Sequence, residues 1–284
     1  MESNHLTVGV LGAGTMGQGI AQVCAQSGHG VFLYDIDRGL CEKALASISA
    51  NLDRLVERSK LQRDEAVAIM KSIITRDSLD AMGTDLIIEA VVEKLDVKCK
   101  IFQELVHHTP KTSILVSNTS SLSITAIAEK LDEPDRFAGL HFFNPATVMP
   151  LVEIVAGEKT DTRTIEFLKQ FCLSISKRYV VAQDSPGFIV NRVARPYYVE
   201  GLKVMEDGVA DAAGIDKLMR SSGFRMGPFE LMDLIGLDIN LSVTKSLYEA
   251  YNRAPRFKPS DIQQQKVNEG ALGRKTGKGF YDYQ

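Results

Sequence analysis

Apolar residues in this chain come in short continuous runs. Leu6–Leu11 and Val31–Tyr34 are the first two. Leu86–Ile88, Ile114–Val116, Ala138–Phe143, Leu151–Val155 and Tyr179–Ala182 follow. Runs this short, without polar alternation, read as strands buried on both faces. Between several of them the apolar period changes to that of a helix. Ile20, Val23 and Cys24 mark one helix, which stops at Gly28 and Gly30. Two charged amphipathic helices lie between Arg38 and Met70. The alternation of β and α predicts an α/β fold, a doubly wound parallel sheet with helices on both faces.

The texture changes at Asp184-Ser185-Pro186-Gly187. Asp or Ser can cap a helix whose first turn carries Pro. Beyond it the periods are helical, through Phe188–Met205, Ala212–Arg220, Pro228–Leu234, Asp238–Tyr251 and Ser260–Asn268. No convincing strand appears until the last few residues. Pro196 falls inside the first of these helices, where the missing backbone donor predicts a kink. The expected organisation is two domains, 1–184 and a smaller all-α domain over 187–284.

Gly12-Ala13-Gly14-Thr15-Met16-Gly17 fits G-x-G-x-x-G. The pattern follows a strand and opens a helix, and Asp35 ends the next strand 18 residues beyond Gly17. That context is the fingerprint of a Rossmann-like dinucleotide site. Gly12 permits the tight turn, Gly14 the close approach of a pyrophosphate, and Gly17 the packing of helix on strand. Thr15 and Met16 begin the helix whose N-terminus would face the phosphates. Asp35 would accept from the adenine-ribose hydroxyls and repel a 2′-phosphate, so the expected cofactor is NAD rather than NADP. A solvated strand-end acid is the plain alternative, and Arg38 close by bears on the NADP exclusion.

Composition and charge remove other classes. The 284 residues carry 33 Lys and Arg against 36 Asp and Glu, a net charge of −3. Nothing there favours nucleic acid or an anionic membrane. Ser3 to Tyr34 contains no Asp, Glu, Lys or Arg, but seven glycines and three glutamines interrupt it. It is a cofactor cradle rather than a membrane span, which needs about 20 mostly apolar residues. Cys24, Cys41, Cys99 and Cys172 lie far apart without C-x-x-C, so neither a metal site nor a redox dithiol is expected. A reducing compartment suits them. No basic stretch precedes an apolar run, and the expected location is cytoplasmic.

Four of the five histidines have ordinary settings: terminal His5, His29 in a turn, and His107 and His108 ending a helix. His141 lies instead in the apolar strand Gly139-Leu140-His141-Phe142-Phe143. Glu153 sits in a second apolar strand, Leu151-Val152-Glu153-Ile154-Val155. A carboxylate there is costly to bury unless paired. A short loop with two prolines lets the strands lie side by side. The pair reads either as an acid–base dyad or as a structural ion pair. Ser117-Asn118-Thr119-Ser120-Ser121 follows a strand, where doubly wound sheets bind ligands. It also reads as a cap for the helix starting near Ser123.

These motifs together resemble the short-chain L-3-hydroxyacyl-CoA dehydrogenases, the bacterial 3-hydroxybutyryl-CoA dehydrogenases in particular. The likeness runs through GAGTMGQGIA from Gly12, EAVVEKLDVK from Glu89, SNTSSLSIT from Ser117 and GLHFFNPATVMPLVEIV from Gly139. It continues with DSPGFIVNR from Asp184, MGPFELMDLIGLD from Met226 and GRKTGKGFYDY from Gly273. The resemblance implies reversible NAD-dependent oxidation of an (S)-3-hydroxyacyl-CoA, such as 3-hydroxybutyryl-CoA, to the 3-ketoacyl-CoA. It implies that His141 is the acid/base and Glu153 its partner. Ser120 and Asn191 would bond the reacting oxygens, with Asn144 lining the same site. Glu93, Lys98 and Lys275 would hold the nicotinamide half of NAD, and the helical domain would form a homodimer.

By their own chemistry some of these residues have plainer readings. Asn191 can be a polar residue near a helix start, Lys98 and Lys275 solvated lysines, and Glu93 a first-turn helix acid. Arg54 and Arg58 share a face at i, i+4 and suit either a coenzyme A grip or a solvated surface. Two other functions stay open: an NAD-dependent dehydrogenase of a non-CoA hydroxy acid or sugar acid, and a non-catalytic NAD-binding protein.

Overall fold

A computed structural model describes residues 5–79 and 83–283. The chain forms two compact units, Met1–Asp184 and Ser185–Gln284. The first is built on eight strands: β1 (Thr7–Leu11), β2 (Gly30–Tyr34), β3 (Ile73–Thr75), β4 (Leu86–Glu89), β5 (Ile114–Ser117), β6 (Phe137–Phe142), β7 (Leu151–Ala156) and β8 (Arg178–Gln183). They lie in the order β3-β2-β1-β4-β5-β6-β7-β8. The helices are α1 (Thr15–Gln26), α2 (Arg38–Glu57), α3 (Arg63–Lys71), α4 (Leu95–His108), α5 (Ile124–Ala128) and α6 (Thr162–Ser174).

The predicted α/β class holds, with two differences. Strand β6 pairs with β7 antiparallel, while every other neighbouring pair is parallel. The connection over 143–150 is too short for a parallel crossover, which takes about a dozen residues or more. The chain therefore turns back beside β6. The second difference is β3, whose three residues at the sheet edge carry too little apolar pattern to announce a strand. Both apolar faces of the sheet are covered. Val8, Val10, Leu33 and Ile88 pack with Ile20, Ile48, Leu52 and Leu168 in one continuous core. Phe102 of α4 meets Phe137 edge to face with 4.6 Å between ring centres.

The second unit is helical: α7 (Val190–Glu206), α8 (Ala212–Ser221), α9 (Pro228–Ile235), α10 (Leu237–Ala250) and α11 (Asp261–Asn268). Its core gathers Tyr198, Leu202, Phe229, Met232 and Leu237. Near the C-terminus there are isolated bridges, Gly273 to Lys278 and Lys278 to Asp282, rather than a strand. Helix α7 runs through Pro196 but starts at Val190, later than the expected Phe188. Gly187 and Phe188 both take left-handed backbone (φ 75 and 49), which no helix can include. Asp184 is not its cap. Its Oδ2 accepts from Ser123 Oγ (2.6 Å) and Thr125 N (2.8 Å) at the start of α5. Among the described residues no helix is long and apolar enough to cross a membrane.

Candidate active site

The parallel strands β1, β2, β4, β5 and β6 all end at one edge of the sheet, and the residues singled out above lie at or just beyond most of these ends. At the head of β1, Gly12 has φ +95, and a Cβ there would lie 2.6 Å from the carbonyl oxygen of Ala90. A Cβ on Gly17 would lie 1.7 Å from the carbonyl oxygen of Gly12. Both glycines are required by backbone packing. Gly14 is different, because no protein atom lies within 4 Å of a Cβ built on it. It begins α1 without a side-chain cap, and the first turn holds no acid. Backbone donors, open space and absent anions are what a pyrophosphate needs. The loop therefore fits a dinucleotide.

Asp35 stands at the head of β2. Its Oδ2 accepts from Ala13 N (2.7 Å) and its Oδ1 from Asp37 N (3.0 Å). The carboxylate ties the glycine loop to β2 and keeps further lone pairs for hydroxyl donors. Arg38 pairs with Asp77 at 3.5 Å on the surface.

The heads of β4 and β5 share a buried polar network. Lys98 is 1 % exposed and Glu89 fully buried. Lys98 Nζ donates to Glu89 Oε1 at 2.6 Å and lies 3.2 Å from Glu93 Oε2. Lys98 is therefore no surface lysine, and its ammonium reaches the edge only through Glu93. Glu93 Oε1 accepts from Thr119 Oγ1 (2.5 Å), Ser120 N (3.0 Å) and Ser121 Oγ (3.3 Å). Partial burial raises the Glu93 carboxyl, but the Lys98 charge and the bonds from Thr119 and Ser120 outweigh it. The group titrates below the usual carboxylate value. Glu93 precedes α4, whose N-cap is Lys94. It holds the Ser/Thr loop instead of serving as a first-turn acid. Ser123 caps α5 by accepting from Ala126 N, so the loop is both polar wall and helix start.

His141 and Glu153 are direct cross-strand partners in the β6–β7 ladder. Their Nδ1 and Oε2 atoms are 2.7 Å apart, and both residues are buried. A carboxylate on Nδ1 sets the tautomer and leaves the chemistry to Nε2. Asn118 Oδ1 accepts from Phe142 N at 2.8 Å, tying the head of β5 to that of β6. Asn144 follows β6, exposed, ahead of a cis bond to Pro145. Gly12, Gly14, Thr15, Met16, Gly17, Asp35, Glu93, Lys98, Ser120, His141, Asn144 and Glu153 thus gather along one sheet edge or directly behind it.

Of the remaining residues, two lie on or beside α2 and two belong to the second unit. Arg54 turns back on α2, donating to Ala50 O (3.2 Å) and Asn51 Oδ1 (2.5 Å). Arg58 is the exposed C-cap of that helix rather than part of it. Asn191 lies at the start of α7 in the second unit. In the same unit Lys275 pairs with Asp238 at 2.6 Å. Burial pushes the Cys24 and Cys172 thiols up to about 12, so neither serves as a nucleophile near neutrality. Glu89 escaped the sequence reading as a site residue, whereas Ser117 and Asn118 were read only as members of the Ser/Thr run. Glu89 had a usable signal, a carboxylate closing the apolar run Leu86–Ile88.

Comparison with known proteins decides the lineage. Residues 7–185 match the family model for the 3-hydroxyacyl-CoA dehydrogenase NAD binding domain, and 187–283 match its C-terminal domain. The chain belongs to the 3-hydroxyacyl-CoA dehydrogenase family. It is 47% identical over 285 residues to the 3-hydroxyadipyl-CoA dehydrogenase of Escherichia coli, covering 100% of this chain and 60% of that protein. The chain therefore spans less than two thirds of that relative. It is 40% identical to the 3-hydroxybutyryl-CoA dehydrogenase of Bradyrhizobium diazoefficiens, covering 97% and 94%. The crystal structure of (S)-3-hydroxybutyryl-CoA dehydrogenase from Ralstonia eutropha superposes with a TM-score of 0.92 at 38% identity, over 98% and 99% of the two chains.

Proposed function

We propose that the protein oxidises (S)-3-hydroxyacyl-CoA to 3-ketoacyl-CoA reversibly with NAD, and that 3-hydroxybutyryl-CoA is its substrate. The observation that carries this reading is the buried His141–Glu153 pair at the same sheet edge as the dinucleotide loop. NAD, held by the Gly12–Gly17 loop and Asp35, supplies the hydride chemistry. In oxidation His141 takes the 3-hydroxyl proton at Nε2, and Glu153 stabilises the imidazolium that results. In reduction the imidazolium returns that proton to the forming alkoxide. Ser120 and Asn191 orient the reacting oxygens and favour the negative charge that grows there. Asn144 lines the same site. Glu93, with Lys98 behind it, holds Ser120 in place and faces the nicotinamide half, and Lys275 acts on the same half. Arg54 and Arg58 are proposed to meet the anionic coenzyme A.

The second unit is proposed to form a homodimer. Val193, Leu218, Phe224, Leu234 and Ile239 expose apolar surface on it, and a molecular mass in solution near twice that of the chain is expected. The cysteines are free, which suits a reducing compartment, and cytoplasmic action is proposed.

The test is NADH consumption with acetoacetyl-CoA, with free acetoacetate and with 3-oxoadipyl-CoA. Acetoacetyl-CoA is expected to be reduced far faster than acetoacetate. A preference for 3-oxoadipyl-CoA would transfer the activity to the longer dicarboxylic chain named for the Escherichia coli relative. Rapid turnover of free acids would support the non-CoA alternative, and no turnover with any substrate would support the non-catalytic one.

A further inference from the structure

Glu89 is a fully buried carboxylate to which the mechanism assigns no step. Its two oxygens are fully engaged. Oε1 accepts from Val91 N (2.7 Å) and Lys98 Nζ (2.6 Å), and Oε2 accepts from Ser117 Oγ (2.6 Å). Its backbone is committed as well, since its carbonyl accepts from Asn118 N at 2.8 Å. In the parallel ladders Glu89 is the partner of Leu11 on one side and Ser117 on the other.

Each partner leads to a different wall of the site. Val91 N belongs to the turn that Gly12 abuts, where a Cβ on Gly12 would come within 3.0 Å of that nitrogen. Lys98 leads to Glu93, and Glu93 to the backbone of Ser120. Ser117 Oγ accepts from Thr119 N at 3.2 Å and fixes the start of the Ser/Thr loop. One side chain therefore couples the glycine loop, the Glu93 segment and the Ser120 loop. An apolar residue would fill the same space without the desolvation penalty of a buried charge.

We propose that Glu89 is a positioning residue that sets the dinucleotide loop and the Ser120 loop in register through Val91, Lys98 and Ser117. The inference rests on the reading of this edge as the NAD and substrate site. A purely structural ion pair is the competing account, and the two differ once the charge is balanced. Glu89→Gln or Lys98→Met alone leaves a buried charge short of its partner and lowers Tm on either account. Glu89→Gln combined with Lys98→Met removes both fully buried charges, so Tm recovers in part, Glu93 having lost its cation. Positioning predicts that the double variant binds NADH about tenfold or more weakly, and turns over acetoacetyl-CoA slower by on the order of tenfold, than Lys98→Met alone. A misplacement near 1 Å is enough for effects of this size.

Ser117→Ala leaves the Lys98–Glu89 ion pair whole and removes the two bonds of Ser117 Oγ, to Glu89 Oε2 and from Thr119 N. It is expected to fold with a lowered Tm, because a buried carboxylate oxygen loses its donor, and to lose NADH affinity and kcat in the same direction. Calorimetry for NADH affinity, thermal unfolding for Tm and steady-state rates complete the set. Affinity and kcat in the double variant no lower than those of Lys98→Met alone would overturn the proposal. If the double variant does not fold, unchanged affinity and kcat in Ser117→Ala overturn it instead. His141→Gln separates this result from the parent reading, because it should abolish turnover and leave NADH affinity intact. If it retains turnover, the parent reading fails, while Glu89 is still judged on NADH affinity.

Discussion

Glu153 lies directly across from His141 on the neighbouring antiparallel strand, and their paired atoms are 2.7 Å apart, both residues being buried. Such an arrangement both orients an imidazole and stabilises its charged form. His141→Gln is expected to keep NADH affinity and lose turnover by at least ~10², the contribution of a general acid–base residue. Stopped-flow binding and steady-state assay on one preparation check it; near-normal kcat would remove His141 from the reaction.

Glu153→Gln replaces the carboxylate with an isostere of the same size. The expected outcome is a folded protein, judged by circular dichroism, with kcat well below that of the parent. Retained activity together with a lowered Tm would reassign the pair to stability alone.

The glycines of the first turn separate binding from folding. Gly17→Ala would place Cβ against the Gly12 carbonyl, so loss of stability and of NADH binding together is expected. Gly14→Ala meets no protein atom. It should leave Tm nearly unchanged and weaken NADH binding by obstructing the phosphates. Thermal shift with and without NADH distinguishes the two, and unaltered NADH affinity in Gly14→Ala would move the phosphates elsewhere.

Asp35 is expected to reject NADPH, since bringing like charges together costs about several kcal/mol. Asp35→Asn should narrow the ratio of kcat/KM for NADH over NADPH. It should also raise KM for both, because the same carboxylate accepts from Ala13 N in the glycine loop. Equal efficiency with both cofactors in the parent protein would refute the role of Asp35.

Glu93 gives a dependence on pH. Its folded value is depressed relative to its unfolded one. Its contribution to stability is therefore present above the unfolded value and is lost as pH falls through the folded value. The carboxylate is 38 % exposed, so solvent screens the effect and it is expected to be small. The Tm difference between the parent protein and Glu93→Gln should be constant at pH 6–8 and close progressively in acid. A difference that widens in acid would contradict the sign.

Residues that break a local pattern were legible in the sequence. Asp35, His141 and Glu153 each interrupt or close an apolar run, so burial and chemistry could be inferred from neighbours alone. Lys98 shows no such contrast. It sits among Asp96 and Lys100 on a charged helix, and its burial depends on Glu89, nine positions earlier and on another element. Ser117 likewise gains meaning only from the β4–β5 register. The reversal of β7 was legible in principle from the length of the 143–150 connection. The start of α7 was not, because the left-handed backbone at Phe188 has no compositional sign.

The turn between β6 and β7 bears on how the His141–Glu153 pair arises. His141 and Glu153 are separated by 12 positions and carried by one hairpin. Closing so short a segment sacrifices little chain entropy compared with joining distant parts of the sheet. The pair can assemble early, as a local event, before the longer crossovers are complete. Residues 143–150 lie outside the ladder, so the pairing of imidazole with carboxylate is set by the two strands rather than by the loop that joins them.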